Sequence, residues 1–158
     1  MGLVEIKIII PGQAIVKKNT VRHSMFYKDK FGRNIPRPAP LVYYTKPYTE
    51  WAKGAIIACA NFKTTHPDIE FPLSGQYNLA CKFVYAENKK VDISNLLEGV
   101  QDVLAGNAGA CKDSVPSEYY QIIEDDSVRF ICSLDGCRFI YSPSEKPRTE
   151  VILTDFKW

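Results

Sequence analysis

A mixed α/β (α+β) domain is what this sequence predicts: one small β-sheet packed against two main helices. Three observations carry that expectation. Alternating or β-branched runs occur at 3–10, 76–86 and 149–156. Between them, 46–63 and 92–105 space their apolar residues as helices do. The two kinds of segment are interleaved, and 158 residues are enough for a single domain, 1–158, with a sizeable core.

Taken in order, "LVEIKIII" (3–10) reads as a strand ended by Pro11-Gly12. Residues 12–46 are rich in Pro, Gly, aromatic and basic residues, so a long basic loop or arm is expected, with a short hairpin around Phe31-Gly32. In 46–63, Pro47 is tolerated in the first helical turn, and Tyr48, Trp51, Ala52, Ala55, Ile56 and Cys59 form an apolar stripe. "QYNLACKFVYA" (76–86) alternates like a half-buried strand. In 92–105, Ile93, Leu96, Leu97, Val100, Val103 and Leu104 fall within roughly 120° of helical arc. Residues 106–121 read as a loop, and 126–142 as a hairpin turning at Asp135-Gly136. Pro143 to Pro147 form a turn before the closing strand, 149–156.

Composition narrows the class. No apolar run is long enough to span a bilayer, and no signal peptide is recognisable. The five cysteines are odd in number and scattered, which points to reduced thiols in a cytoplasm. Zinc is not expected, although Cys132 and Cys137 would face each other across the hairpin. With only His23 and His66, a hydrolytic triad has little to stand on. Net charge is only +2, but ten basic residues, counting His23, lie from Lys17 to Lys53 against Asp29 and Glu50. Such a segment suits a polyanion, or is simply a solvated basic surface.

The acids are grouped in two places. Asp92 stands where the second helix begins, the place of an N-cap. Asn95, Glu98 and Asp102 share one side of that helix, within about 60° of arc. Glu124, Asp125 and Asp126 form a second group at the edge of an apolar segment. A cap, a wet helix face and a turn would account for them separately. Together, carboxylates on two elements are what Mg²⁺ needs, since it takes oxygen ligands and accepts one or two carboxylates plus a substrate phosphate. Beside a basic arm, such an ion would sit between acid and nucleic acid.

"DISNLLEGVQDVLAG" (92–106) followed by "IIEDDSVRF" (122–130) resembles the RusA-like Holliday-junction resolvases, a family often encoded by phages and prophages. Asp92, Asn95, Leu96, the Asp102-Val103-Leu104 segment and the Asp125-Asp126 pair match its pattern in order, and "IPGQAIVKKNTVR" is similar to its opening. Ser94 and Glu98 stand where the family has Asp and Lys. The resemblance implies a RusA-like fold and a Mg²⁺- or Mn²⁺-dependent endonuclease that acts as a homodimer on branched DNA, in the cytoplasm of a bacterium or phage-infected host. By the same resemblance, Asp92 and Asp126 would be catalytic metal-binding carboxylates. Asp125 would be a ligand or helper, and Asn95 would orient the site. Glu98 or Asp102 would be the substitute ligands for the carboxylate that Ser94 replaces.

Lys17, Lys18, Arg22, Lys89 and Lys90 are candidates for phosphate contacts. Phe26, Tyr27, Tyr43 and Tyr44 would either stack on unpaired bases or belong to the core. Two further readings compete. Pro67-Asp68 with Glu87-Asn88-Lys89 fits the loose signature of restriction-enzyme-like nucleases. Alternatively, with Ser94 and Glu98 as signs of decay, the chain is a branched-DNA-binding module with little or no activity.

Overall fold

The computed structural model describes residues 5–17, 21–111 and 114–158, with side chains described outside 21–24 and 39–43. Its strands are β1 (Glu5–Pro11), β2 (Val21–Lys28), β3 (Asn34–Tyr44), β4 (Tyr77–Tyr85), β5 (Ile131–Ser133), β6 (Arg138–Tyr141) and β7 (Arg148–Asp155). Its helices are α1 (Lys46–Thr65) and α2 (Ile93–Leu104). The fold is the expected mixed one: a five-stranded sheet with two helices, plus a separate two-stranded ribbon. No helix among the described residues is long and apolar enough to cross a membrane.

The period-2 pattern of β1 buries Ile6, Ile8 and Ile10 and turns Glu5, Lys7 and Ile9 outward. β1 pairs antiparallel with β7, Ile8 opposite Val151, and β7 pairs antiparallel with β4, Leu153 opposite Leu79. β4 is therefore interior, and it is buried along most of its length. Removing each of these large apolar side chains from water contributes about 1.5–3 kcal/mol.

Two expectations are corrected here. The segment 126–142 is not a hairpin. Gly136 does take a left-handed φ of 89°, as a turn there demands. Yet β5 and β6 both run parallel to β4 and lie along the same edge of it, β5 beside Tyr77 and Asn78, β6 beside Lys82 to Tyr85. Pairing with the buried β4 satisfies their backbones, so the turn works as an interruption within one edge. Cys137 accordingly faces not Cys132 but Cys81. Its sulfur accepts the Cys81 backbone N–H at 3.3 Å, and its thiol donates to the Leu79 carbonyl at 3.2 Å.

The second correction concerns 12–46. The hairpin expected around Phe31-Gly32 is present but much longer than a short one: most of the segment is an antiparallel ribbon, β2 against β3, with Tyr27 opposite Ile35. Register shifts between Ser24 and Phe26, opposite the stretch where Pro36, Pro38 and Pro40 lack the N–H a regular ladder requires.

The helices cover the core. α2 buries Leu96, Leu97, Gly99, Val100, Val103 and Leu104, the expected stripe apart from half-buried Ile93. Gly99 matters for the packing: a Cβ there would lie 3.4 Å from the Trp51 ring and 3.5 Å from Tyr48, so its absence lets α2 approach α1 closely. Gly106, at φ 76°, ends α2. Its N–H donates to the Val103 carbonyl and that of Asn107 to the Asp102 carbonyl, which closes the helix with paired backbone groups.

Candidate functional site

Asp92 begins α2 as its N-cap, with extended backbone. Its Oδ1 accepts the Ser94 N–H at 3.0 Å and the Ser94 hydroxyl at 2.6 Å. Where the RusA-like pattern would place a second carboxylate, Ser94 offers a donor, so Asp92 meets a hydrogen bond in place of a like charge. The positive end of the helix dipole favours an anion there as well.

The other end of α2 poses the opposite problem. Asp102 lies in the last turn, about 15 Å along the axis from Asp92 at 1.5 Å per residue. A carboxylate there faces the negative end of the dipole, and α2 has no basic residue in its last turn. Lys17 supplies the cation from outside the helix. Its ammonium is hydrogen-bonded to Asp102 Oδ2 and lies 3.4 Å from Glu98 Oε1. Both Lys17 and Asp102 are largely enclosed, with side-chain exposures of 19% and 15%.

The electrostatics of this cluster show who its neighbours are. Burial pulls the Lys17 ammonium down, but the hydrogen bond and charge of Asp102, with Glu98 and Tyr44 beyond, outweigh it and hold its pKa above the ordinary value. An ion pair alone would depress Asp102. Burial raises it instead, and the charges of Asp126 and Glu98 add to the rise against the pull of Lys17. Asp126 is thus within electrostatic reach of Asp102. Tyr48, below them, is also raised, by burial first and then by Asp102, Tyr44 and Glu98.

Backbone pairing brings the second acidic group to this end of α2. The N–H groups of Ile122 and Ile123 both donate to the Leu104 carbonyl. Ile123 pairs with Leu73, and the Glu124 N–H donates to the Leu73 carbonyl. Ile122 and Ile123 are fully buried, and the chain then surfaces at Asp125 and Asp126. Ser127 hydrogen-bonds the Asp125 carboxylate and, with the Asp126 N–H, holds it below its ordinary pKa.

The predicted residues therefore separate into two sets. Glu98 and Asp102 are gathered around Lys17, with Asp126 within electrostatic reach of Asp102, while Asp92 caps the far end of α2, with half-buried Asn95 one turn in. Among the described residues no three His, Cys, Asp or Glu side chains form a ready-made metal cage. Lys17, expected to touch phosphate, is committed to Asp102 and Glu98. Nothing in the sequence near residue 17 indicates this pairing; the one signal is the missing base in the last turn of α2.

Of the other basic candidates, Lys89 is exposed and paired with Glu87 at 2.8 Å, and Lys90 is exposed beside the Asp92 cap. Lys18 lies outside the described residues, as do the side chains of Arg22, His23 and Tyr43. Tyr44 is not a surface stacker. Its ring packs against Tyr48 at 5.4 Å between centroids, beside the Asp102 cluster. Lys17 and Tyr44 thus stand at the two roots of the ribbon, one before β2 and one ending β3. For the competing nuclease signature, no described contact joins exposed Asp68 to the Glu87–Lys89 pair.

Compared with known proteins, the chain matches no family model and no curated protein.

Proposed function

We propose that this chain is a Mg²⁺-dependent endodeoxyribonuclease that cleaves phosphodiesters in branched DNA, as its resemblance to the RusA-like resolvases implies. In this reading it works as a homodimer, because a four-way junction has two-fold symmetry and needs paired nicks. Its place is the cytoplasm of a bacterium or phage-infected host. One observation carries the reading. Lys17 occupies a cation position between Asp102 and Glu98, and Asp126, from a separate segment, lies within electrostatic reach of Asp102.

The donor chemistry suits Mg²⁺: hard oxygens, partly desolvated, at a spot that already favours positive charge. One or two carboxylates suffice for it when waters and phosphate oxygens complete the shell. Asp126 and Asp125 would hold it, with Asp102 or Glu98 as the helix-borne carboxylate; Asp92, catalytic by the resemblance, lies about 15 Å along α2 from Asp102 and would have to act at a second position, which its substitution tests. When bound, the ion would activate water and offset charge on the phosphorus oxygens. Asn95 would orient a phosphate along α2, while Lys90 and Lys89, just before the cap, would hold the backbone in register.

A second reading is favoured by Ser94 and Glu98 at the family's Asp and Lys positions: a branched-DNA-binding module without activity. A nicking assay on four-way junction, flap and duplex DNA in Mg²⁺ and in Mn²⁺ separates the two. The parent should nick junctions, and Asp92→Asn and Asp126→Asn should each slow it by at least about tenfold to a hundredfold, the loss typical even of groups that only support metal ligands. Variants that cut as fast as the parent would remove the assignment. Tight junction binding with no nick in either metal would leave the binding module.

A further inference from the structure

We propose that the tip of the β2–β3 ribbon is a platform for unpaired nucleotides, separate from the acids of α2. This rests on the proposed function only in taking DNA as the polymer.

The tip is braced from within. Asp29 Oδ1 accepts the backbone N–H of Phe31 at 2.8 Å and of Arg33 at 3.0 Å, and its Oδ2 accepts Arg33 Nε at 2.8 Å. Gly32, at φ 78°, completes the turn. None of these bonds needs an aromatic side chain at 31. Yet Phe31 is there, and 70% exposed. Lys30 Nζ lies 5.1 Å and Arg33 Cζ 5.2 Å from its ring centroid. Further down the ribbon, Arg37 Cζ lies 5.3 Å from the ring of Tyr27, itself 44% exposed. Each ring is therefore held beside cations in a strand or a tight turn. An aromatic face next to a positive charge is the chemistry that binds a base and its phosphate without regard to sequence.

Charge favours a polyanion over a second copy of this chain. From residue 25 to residue 37 the ribbon carries Lys28, Lys30, Arg33 and Arg37 against Asp29 alone, and Asp29 is spent on Arg33. Two copies meeting there would bring like charges together. Pro36, Pro38 and Pro40 also leave β3 short of the N–H groups that strand addition would use.

The test is fluorescence anisotropy of a labelled oligothymidylate and of a blunt duplex of the same length, in EDTA so that nothing is cut. The parent should prefer the single strand. Phe31→Ala and Tyr27→Ala should each weaken oligothymidylate binding by roughly 5- to 150-fold, the range for loss of one stacked base, with a smaller effect on duplex. Both rings are exposed, and a thermal melt by circular dichroism checks that the variants remain folded. Two folded variants that bind oligothymidylate as tightly as the parent would overturn the platform. So would a parent dimer that becomes a monomer on Phe31→Ala with oligothymidylate binding unchanged, since the ring would then serve self-association. Binding that depends on Phe31 in a chain that never nicks supports the platform while removing the nuclease. Normal nicking with unchanged oligothymidylate binding in both variants removes the platform alone.

Discussion

Asp92 combines two roles that substitution can separate. As an N-cap it accepts from Ser94, and asparagine serves at that position nearly as well as aspartate. Asp92→Asn should therefore leave the unfolding free energy almost unchanged in urea, whereas Asp92→Ala should lose about 1 kcal/mol. If Asp92→Asn loses nicking while retaining stability, the carboxylate charge is needed for chemistry and not for the fold. The cap was legible because it depends on residues two positions apart. Lys17 was not. Its pairing with Asp102 and Glu98 joins residues far apart in the chain, and local spacing is silent about such contacts. The burial that raises Asp102 is likewise a property of the folded molecule.

At the scale of elements, hydrophobic period identified β1, β4, β7 and both helices, because each presents one face to a common core. It could not decide partners. The Asp135-Gly136 turn signal is real, but β5 and β6 pair with β4 and not with each other, since the buried strand has an edge to satisfy. The β1–β7 pairing has an electrostatic seam that predicts a pH response. Glu150 lies 3.4 Å from Lys7 of β1 and 2.9 Å from Arg148 on its own strand. Burial pushes Glu150 up, yet the bonds and charges of Arg148 and Lys7 outweigh it, so its pKa falls below the ordinary 4.5. The folded state thus favours the ionised carboxylate. This contribution is present above pH 4.5 and is lost as pH falls through the lower folded value. Glu150→Gln should be less stable than the parent at pH 7, and the urea midpoints should converge as acid is added. Curves that stay parallel down to about pH 3 would show that the seam contributes nothing.

Across the whole molecule, the division into a sheet-and-helix body and a ribbon sets where the chain is vulnerable. β2 and β3 pair only with each other in the described ladders, and the exposed tip carries Lys28, Lys30 and Arg33. Limited trypsin digestion should cut first at these residues while the β1–β7–β4 sheet persists, as mass spectrometry of the early fragments would reveal. First cuts inside α1 or β4 would contradict this division. The basic character of 12–46 and a hairpin at Phe31-Gly32 were legible, but the length of its strands was not: prolines argue against strands in general and are tolerated in a two-stranded ribbon that pairs with no other described strand.

The roots of that ribbon join its outer end to the acids. One root follows Lys17, bound to Asp102; the other ends in Tyr44, stacked on Tyr48. Both strands of the ribbon therefore begin or end beside the same carboxylates, and loss of the Asp102 charge would take from Lys17, four positions ahead of β2, the anion it is hydrogen-bonded to.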